Sequence, residues 1–369
     1  STLLRAVVFS IITEYFTAKW RHMMLDNLIR TVQHNCNIAD ARHGGEYTMC
    51  TYLMKMREFY RWEQGLDFAE RLPREALGDW LAARESTWLE LQEADYEAVV
   101  VAEEALEPID ERGINERLRP HGLVYSAGYA GCARAQFYLA QLESEERHAG
   151  GLTIRVSGEE LARGLSAPAA MTREDSIYLR REALRRHLWE RFEVWRWSSP
   201  QNALAQAYAC YDMHGDVEAA LSLMADRELD TVRQHELGEH LAGELLGDAW
   251  NAMLMQVPHT PAELMARAVR DHLADCAMTL PFLLEEQRSD SIHLFVGGLS
   301  GMRKEIFPAL QQAYKNWLDS GSSAALRRLA EEGREHWQHV ALQLRDSYAR
   351  QPQGDVAASI QRIVGESHL

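Results

Sequence analysis

No pair of cysteines in this chain stands at C-x-x-C spacing. Cys36, Cys50, Cys132, Cys210 and Cys276 are scattered and odd in number. That argues against a disulfide framework and against a cysteine-rich zinc or iron–sulfur site. It fits a reducing, cytoplasmic setting. Long apolar runs are missing too, so no transmembrane segment is expected: a spanning helix needs about 20 residues. The nearest approach, Ala6 to Ile12, is short, and Lys19, Arg21 and His22 follow it. It reads as the start of a long helix or as an extension ahead of Met23 and Met24. Positive charge is scarce: 39 Lys and Arg against 55 Asp and Glu give a formal charge of −16. A broad nucleic-acid footprint is therefore not expected. Several fingerprints are absent as well. The glycine-rich stretch from Val296 to Lys304 is neither a Walker A loop nor G-x-G-x-x-G, and there is no G-x-S-x-G elbow. His235 and His240 are one residue too far apart for a zincin pair. On a regular helix they diverge by about 140°.

What remains is an ordinary globular composition, 46% hydrophobic and 25% charged over 369 residues. The length suits one large or two modest domains. Helical periodicity runs from Leu3 to Asn35, and again over Tyr47 to Glu63 and Pro73 to Leu91. Proline and glycine then punctuate the chain to about Ser157. Within that stretch Gln136 to Leu142 and Leu152 to Val156 read as strands, and polar Glu143 to Gly151 as their turn. From Gly158 onward the pattern predicts helices, with Asp216 and Thr260 as N-caps and Pro261 at a first helical position. The pattern over 216–255 is long and predicts a break near Arg227. The expected organisation is an N-terminal helical region (1–95), a mixed segment (96–170) and a C-terminal helical bundle (171–369). The expected fold class is mainly α, a multi-helical bundle with a small β-hairpin insertion near 123–157.

Two acid-and-imidazole helices carry the strongest chemical signal. Glu228, His235 and Glu239 are seven and four residues apart and share one helical stripe. Asp271 and Asp275 share another, with His272 between them. Carboxylates and imidazoles meeting from two packed helices are what a non-haem metal site needs. The predicted ligand set is Glu228, His235, Glu239, Asp271 and Asp275, with His240 and His272 in reserve. The same residues also suit a salt-bridged face, because Arg227, Arg233, Arg267 and Arg270 are near enough to pair with them. A second cluster surrounds a helix break: His34, Asn35, Cys36, Asp40, His43, Glu46 and Cys50. It reads either as a polar site or as a capping region. A third, Arg180 to Trp197, interleaves arginine with tryptophan and acid. It suits an anion pocket or a salt-bridged helix.

The spacing of Glu228 and His235 resembles the first-helix ligand pair of the haem-oxygenase-like di-iron oxygenases. That family is helical, binds two irons and activates dioxygen. A wider resemblance rests on Asn35-Cys36, Asp40 to His43, Tyr60 to Glu63, His235 to Glu239 and Asp271 to Cys276. By it the chain, from about Met24 onward, looks like an uncharacterised helical family of proteobacteria. That resemblance implies no activity and no catalytic residue.

The leading expectation is a helical metal-binding protein, in its sharpest form an iron-dependent oxidoreductase, with iron or another divalent metal as cofactor. One alternative is a non-enzymatic interaction or scaffold protein, suggested by 10 tryptophans and 13 tyrosines. The other is an anion-binding regulator using the Arg180–Arg196 helix. The partner is a small molecule or another protein, and a homo-oligomer stays open.

Overall fold

Helix α1 covers residues 24–43, and its buried positions Leu28, Val32, Cys36 and Ala39 recur at steps of four, four and three. That is the stripe a helix must lay on a core. The computed structural model describes residues 24–130, 134–148, 151–173 and 175–369. The apolar run from Ala6 to Ile12 lies outside them. The chain divides into a first unit ending at Ala167 and a second beginning at Pro168.

In the first unit a 3-10 turn (Gly44–Glu46) follows α1. Thr48 then caps α2 (Met49–Glu63), accepting a hydrogen bond from the Thr51 amide. Helix α3 (Arg74–Leu91) starts directly after Pro73. A two-stranded sheet pairs β1 (Val99–Val101) with β2 (Glu104–Leu106), and α4 (Glu111–Leu118) is capped by Asp110. Three long antiparallel strands follow: β3 (Leu123–Ala130), β4 (Arg134–Arg147) and β5 (Thr153–Arg163). One face of them, including Tyr125, Phe137, Leu139 and Ala162, packs against the α1 stripe.

The second unit opens with the hairpin β6 (Ala170–Arg173) and β7 (Ser176–Arg180), which leads straight into α5 (Arg181–Arg196). Helices α6 (Ala203–Tyr208), α7 (Val217–Leu254) and α8 (Pro261–Ala274) follow. Asp216 caps α7 and Thr260 caps α8, with Pro261 in the first turn, as the sequence predicts. A π-helical turn (Asp275–Thr279) joins α8 to α9 (Leu280–Glu285). The chain continues through α10 (Ser289–Gly298), α11 (Gly301–Glu305), α12 (Pro308–Ser320), α13 (Ala324–Arg350) and α14 (Val356–Gly365). The core of this unit gathers Trp250, Leu273, Leu280, Leu283, Phe307, Trp337 and Val364 from these helices.

The expected fold class, the expected start of the helices and the expected break in α7 need correction: from Gly158 to Arg180 the chain forms the end of β5 and the hairpin β6–β7 in place of the predicted helices. A plain helical bundle with one small hairpin is wrong: the described residues hold a two-stranded and a five-stranded sheet. The segment Glu143 to Arg147, read as a turn because it is charged, is the far end of β4. There Glu145 faces Arg155 of β5, and Arg155 Nε donates to its carboxylate at 2.9 Å. Strand β7 buries all five residues, so it lacks the alternation that marks a half-exposed strand. The last correction is the break in α7. It falls at Gly247, whose φ of 65° glycine tolerates, and not near Arg227.

Helices α7 and α8 cross at Gly238. A Cβ there would stand 2.7 Å from the Ala274 carbonyl oxygen and 2.8 Å from the Ala274 Cα. Backbone atoms cannot turn aside as a flexible side chain can. Gly238→Ala should therefore lower stability by about 1–3 kcal/mol despite alanine's better helix propensity. A thermal unfolding curve unchanged from wild type would show that the two helices can part at the crossing without cost.

Candidate functional site

The close crossing brings His235 and Glu239 of α7 against Asp271 of α8 and Asp275 of the π turn. Asp275 is 1% exposed and is the fixed point of the group. His235 Nδ1 lies 2.8 Å from Asp275 Oδ1, and Thr279 Oγ1 donates to the same oxygen at 3.1 Å. Arg303 of α11 donates to Asp275 Oδ2. On the other side of the imidazole, Nε2 is 3.6 Å from Glu239 Oε1. Arg270 donates to that same Glu239 oxygen at 2.7 Å. Asp271 lies 3.7 Å from Arg303 Nε and 4.0 Å from Arg270. One ligand-type atom each from His235, Glu239 and Asp271 falls within 4.8 Å of the other two.

Charge explains how such a group stays buried. Burial alone pulls the His235 imidazole down, but the Asp275 charge and its hydrogen bonds to Asp275 and Glu239 override this and hold it well above the usual histidine value. Burial pushes Asp275 up, and the Arg303 and His235 charges outweigh it, so its carboxyl stays well below the ordinary range. Glu239 is likewise held low against burial, by its hydrogen bond to His235 and by Arg270. Asp271 goes the other way. Burial and the neighbouring Glu239 raise it to about 7, although Arg303 pulls it back. The arrangement is a nearly charge-balanced knot in which Glu239 stays charged and Asp271 is the carboxyl that takes up a proton first.

The other three predicted ligands stand apart. Glu228 lies two helical turns before His235 and is 6% exposed, with Oε1 unpartnered. Burial raises it to about 7, helped by the charge of Asp290 and opposed by hydrogen bonds to Ser291 and Thr231 and by the Arg191 charge. His240 sits 3.6 Å from Glu244. His272 is wholly buried on another face, with Nε2 2.7 Å from the Arg303 carbonyl oxygen and its ring against Phe307 and Trp337. Burial lowers its pKa to about 4, so it is neutral. Sequence reading missed Arg303, which reaches the group from 28 residues beyond Asp275. Glu236, which the spacing pairs with His240, is buried and instead accepts from Thr172 of β6 at 2.6 Å.

The two other clusters are also resolved into contacts. Cys36 Sγ donates to the Phe137 carbonyl, Asn35 both donates to and accepts from the Glu97 backbone, and His43 faces Glu46 at 2.9 Å. Asp40 accepts from the Leu165 amide through both oxygens. On α5, Arg181 faces Asp226, Arg185 faces Glu218 at 2.7 Å and Arg186 faces Glu182 at 2.9 Å.

The fold and site thus define a two-unit chain whose helical unit carries a buried acid–imidazole–guanidinium knot at a helix crossing. The chain belongs to a family of unknown function, DUF6866. The model of that family's N-terminal domain matches residues 27–180 and that of its C-terminal domain matches 185–367. No curated protein and no solved structure matches it. The expected likeness to haem-oxygenase-like di-iron oxygenases has no support. Its lead pair does not share a site, because Glu228 faces Asp290 while His235 faces Asp275. Among the described residues no helix is long and apolar enough to cross a membrane.

Proposed function

We propose that the α7–α8 crossing is a divalent-metal site and that this is a helical metal-binding protein. The observation that carries the reading is the orientation of His235. A buried carboxylate, Asp275, holds Nδ1 and leaves Nε2 toward Glu239. That is how ligating histidines are commonly fixed by a group behind them. His235, Glu239 and Asp271 would be the ligands. Bonds of about 2.1 Å allow two ligand atoms to stand at most about 4.2 Å apart. The three atoms, within 4.8 Å of one another, must draw together onto the ion, with Arg270 and Arg303 sliding off the two carboxylates. One imidazole and two carboxylates suit iron(II), manganese(II) or zinc, and they leave coordination positions open. With iron in that site, the open positions would be available for redox chemistry, the oxidoreductase form of this reading. The cytoplasmic setting belongs to the same proposal and rests on the scattered, odd-numbered cysteines of the sequence.

Elemental analysis of protein purified without added metal tests the reading. We expect about one metal ion per chain, lost in His235→Ala and Glu239→Gln. Entry of the ion must displace the His235 proton and whatever proton Asp271 holds, so binding at pH 7 should release between one and two protons and weaken steeply as the pH falls. Metal far below one per chain, or metal retained by both variants, would discard the site. A second reading is favoured by Arg270 and Arg303, which occupy the carboxylates in the structure: the knot is a polar clamp that fixes how α7, α8 and α11 pack. It predicts metal-free protein whose stability depends on the same residues.

A further inference from the structure

We propose that the first unit binds a small substituted ammonium ion, an organic cation with an apolar body, in the cavity between the end of α1, the start of α2 and α3. The proposal is independent of the α7–α8 reading. The cavity measures about 410 Å³, within the range of small-molecule sites. Its walls carry the rings of Tyr47, Tyr52 and Trp88. Aromatic faces attract cations through the ring quadrupole, most strongly when water is excluded. The Tyr47 ring already does so inside the fold, with the Lys55 ammonium 5.5 Å from its centroid.

The charged groups in the wall point to the same ligand. Both are acids, Asp40 and Glu85, and no Lys or Arg lines the cavity among the described residues. Asp40 is buried, and its carboxyl is pushed up to about 7, burial outweighing the Leu165 amide and the charges of Arg163, Arg84 and Lys55. A cation in the cavity would favour its charged form. Glu85 is exposed and accepts from the Tyr52 hydroxyl at 3.0 Å, which holds the carboxylate beside the ring. At the mouth, Met49 and Leu89 are 70% and 76% exposed, an apolar rim that suits a ligand with carbon bulk around its charge. A carboxylate or phosphate ligand would meet the carboxyls of Asp40 and Glu85 in the lining and no lining lysine or arginine.

The test is calorimetric titration of the full chain with choline and with 3,3-dimethyl-1-butanol, its uncharged analogue of equal shape. Choline should bind about tenfold more tightly than the alcohol. Glu85→Gln, at an exposed position that should not disturb folding, should erase most of that preference. Trp88→Phe keeps a ring and should weaken both by a smaller factor. Equal affinity for the two compounds, no binding of choline, or a preference untouched by Glu85→Gln and Asp40→Asn would each overturn the proposal.

Discussion

Asp275→Asn should destabilise the second unit by about 3–5 kcal/mol, the cost of breaking a buried ion pair from one side. Asp275 is 1% exposed and takes contacts from His235, Thr279 and Arg303. Asparagine keeps the shape but removes the charge. Arg303 and a protonated His235 then face each other across a neutral amide. His235 would respond by losing its proton, because burial favours the neutral ring once Asp275 no longer holds the charge. Two measurements check this. Urea unfolding at pH 7 should show a lower midpoint with an unchanged slope. The His235 ring resonances should titrate at a lower pH than in wild type. A loss below about 1 kcal/mol would mean that the knot behaves like a solvated surface pair.

Glu228→Gln should have the opposite sign. Burial raises the folded carboxyl from 4.5 to about 7, which the hydrogen bonds to Ser291 and Thr231 do not offset. Between those two values the native chain keeps a proton that the unfolded chain has released. Stability from this group is therefore fully present below the unfolded value, falls as pH rises toward 7 and is level above it. At about 1.4 kcal/mol per pKa unit, burying the charge costs about 3 kcal/mol at pH 8. Glutamine removes the charge, so Glu228→Gln should be more stable than wild type by about 2–3 kcal/mol at pH 8 and indistinguishable from it at pH 4. Subtracting the two pH profiles isolates Glu228 from Asp275 and Glu239, which are held low and lose their contribution only as acid protonates them. A flat difference would show that Glu228 is ionised and partnered when folded.

The features legible in the sequence were those written in a few neighbouring residues. Asp216 and Thr260 announce their helices because a cap is a local hydrogen bond. Helical spacing also puts His235 with Glu239 on one stripe and Asp271 with Asp275 on another, but it does not say that the two stripes meet. Spacing does not say how far along a stripe a partner sits. Glu228 shares the stripe with His235 but lies two turns away, beside Asp290. Arg303 could not be anticipated, because only the tertiary path of α11 delivers it. The sheets were under-read for two physical reasons. A fully buried strand such as β7 has no alternation, and the exposed end of β4 is as charged as a turn.

The π turn after α8 works as a phase shifter. Widening one turn by a single residue turns everything beyond it by about 100° relative to an unbroken helix. With the offset in place, Leu280, Leu283 and Leu284 are all turned inward. A version of this chain one residue shorter between Asp275 and Thr279 would keep every one of those leucines yet swing them toward water. Sequence identity would be almost complete, and the oily seam of the helical unit would be lost.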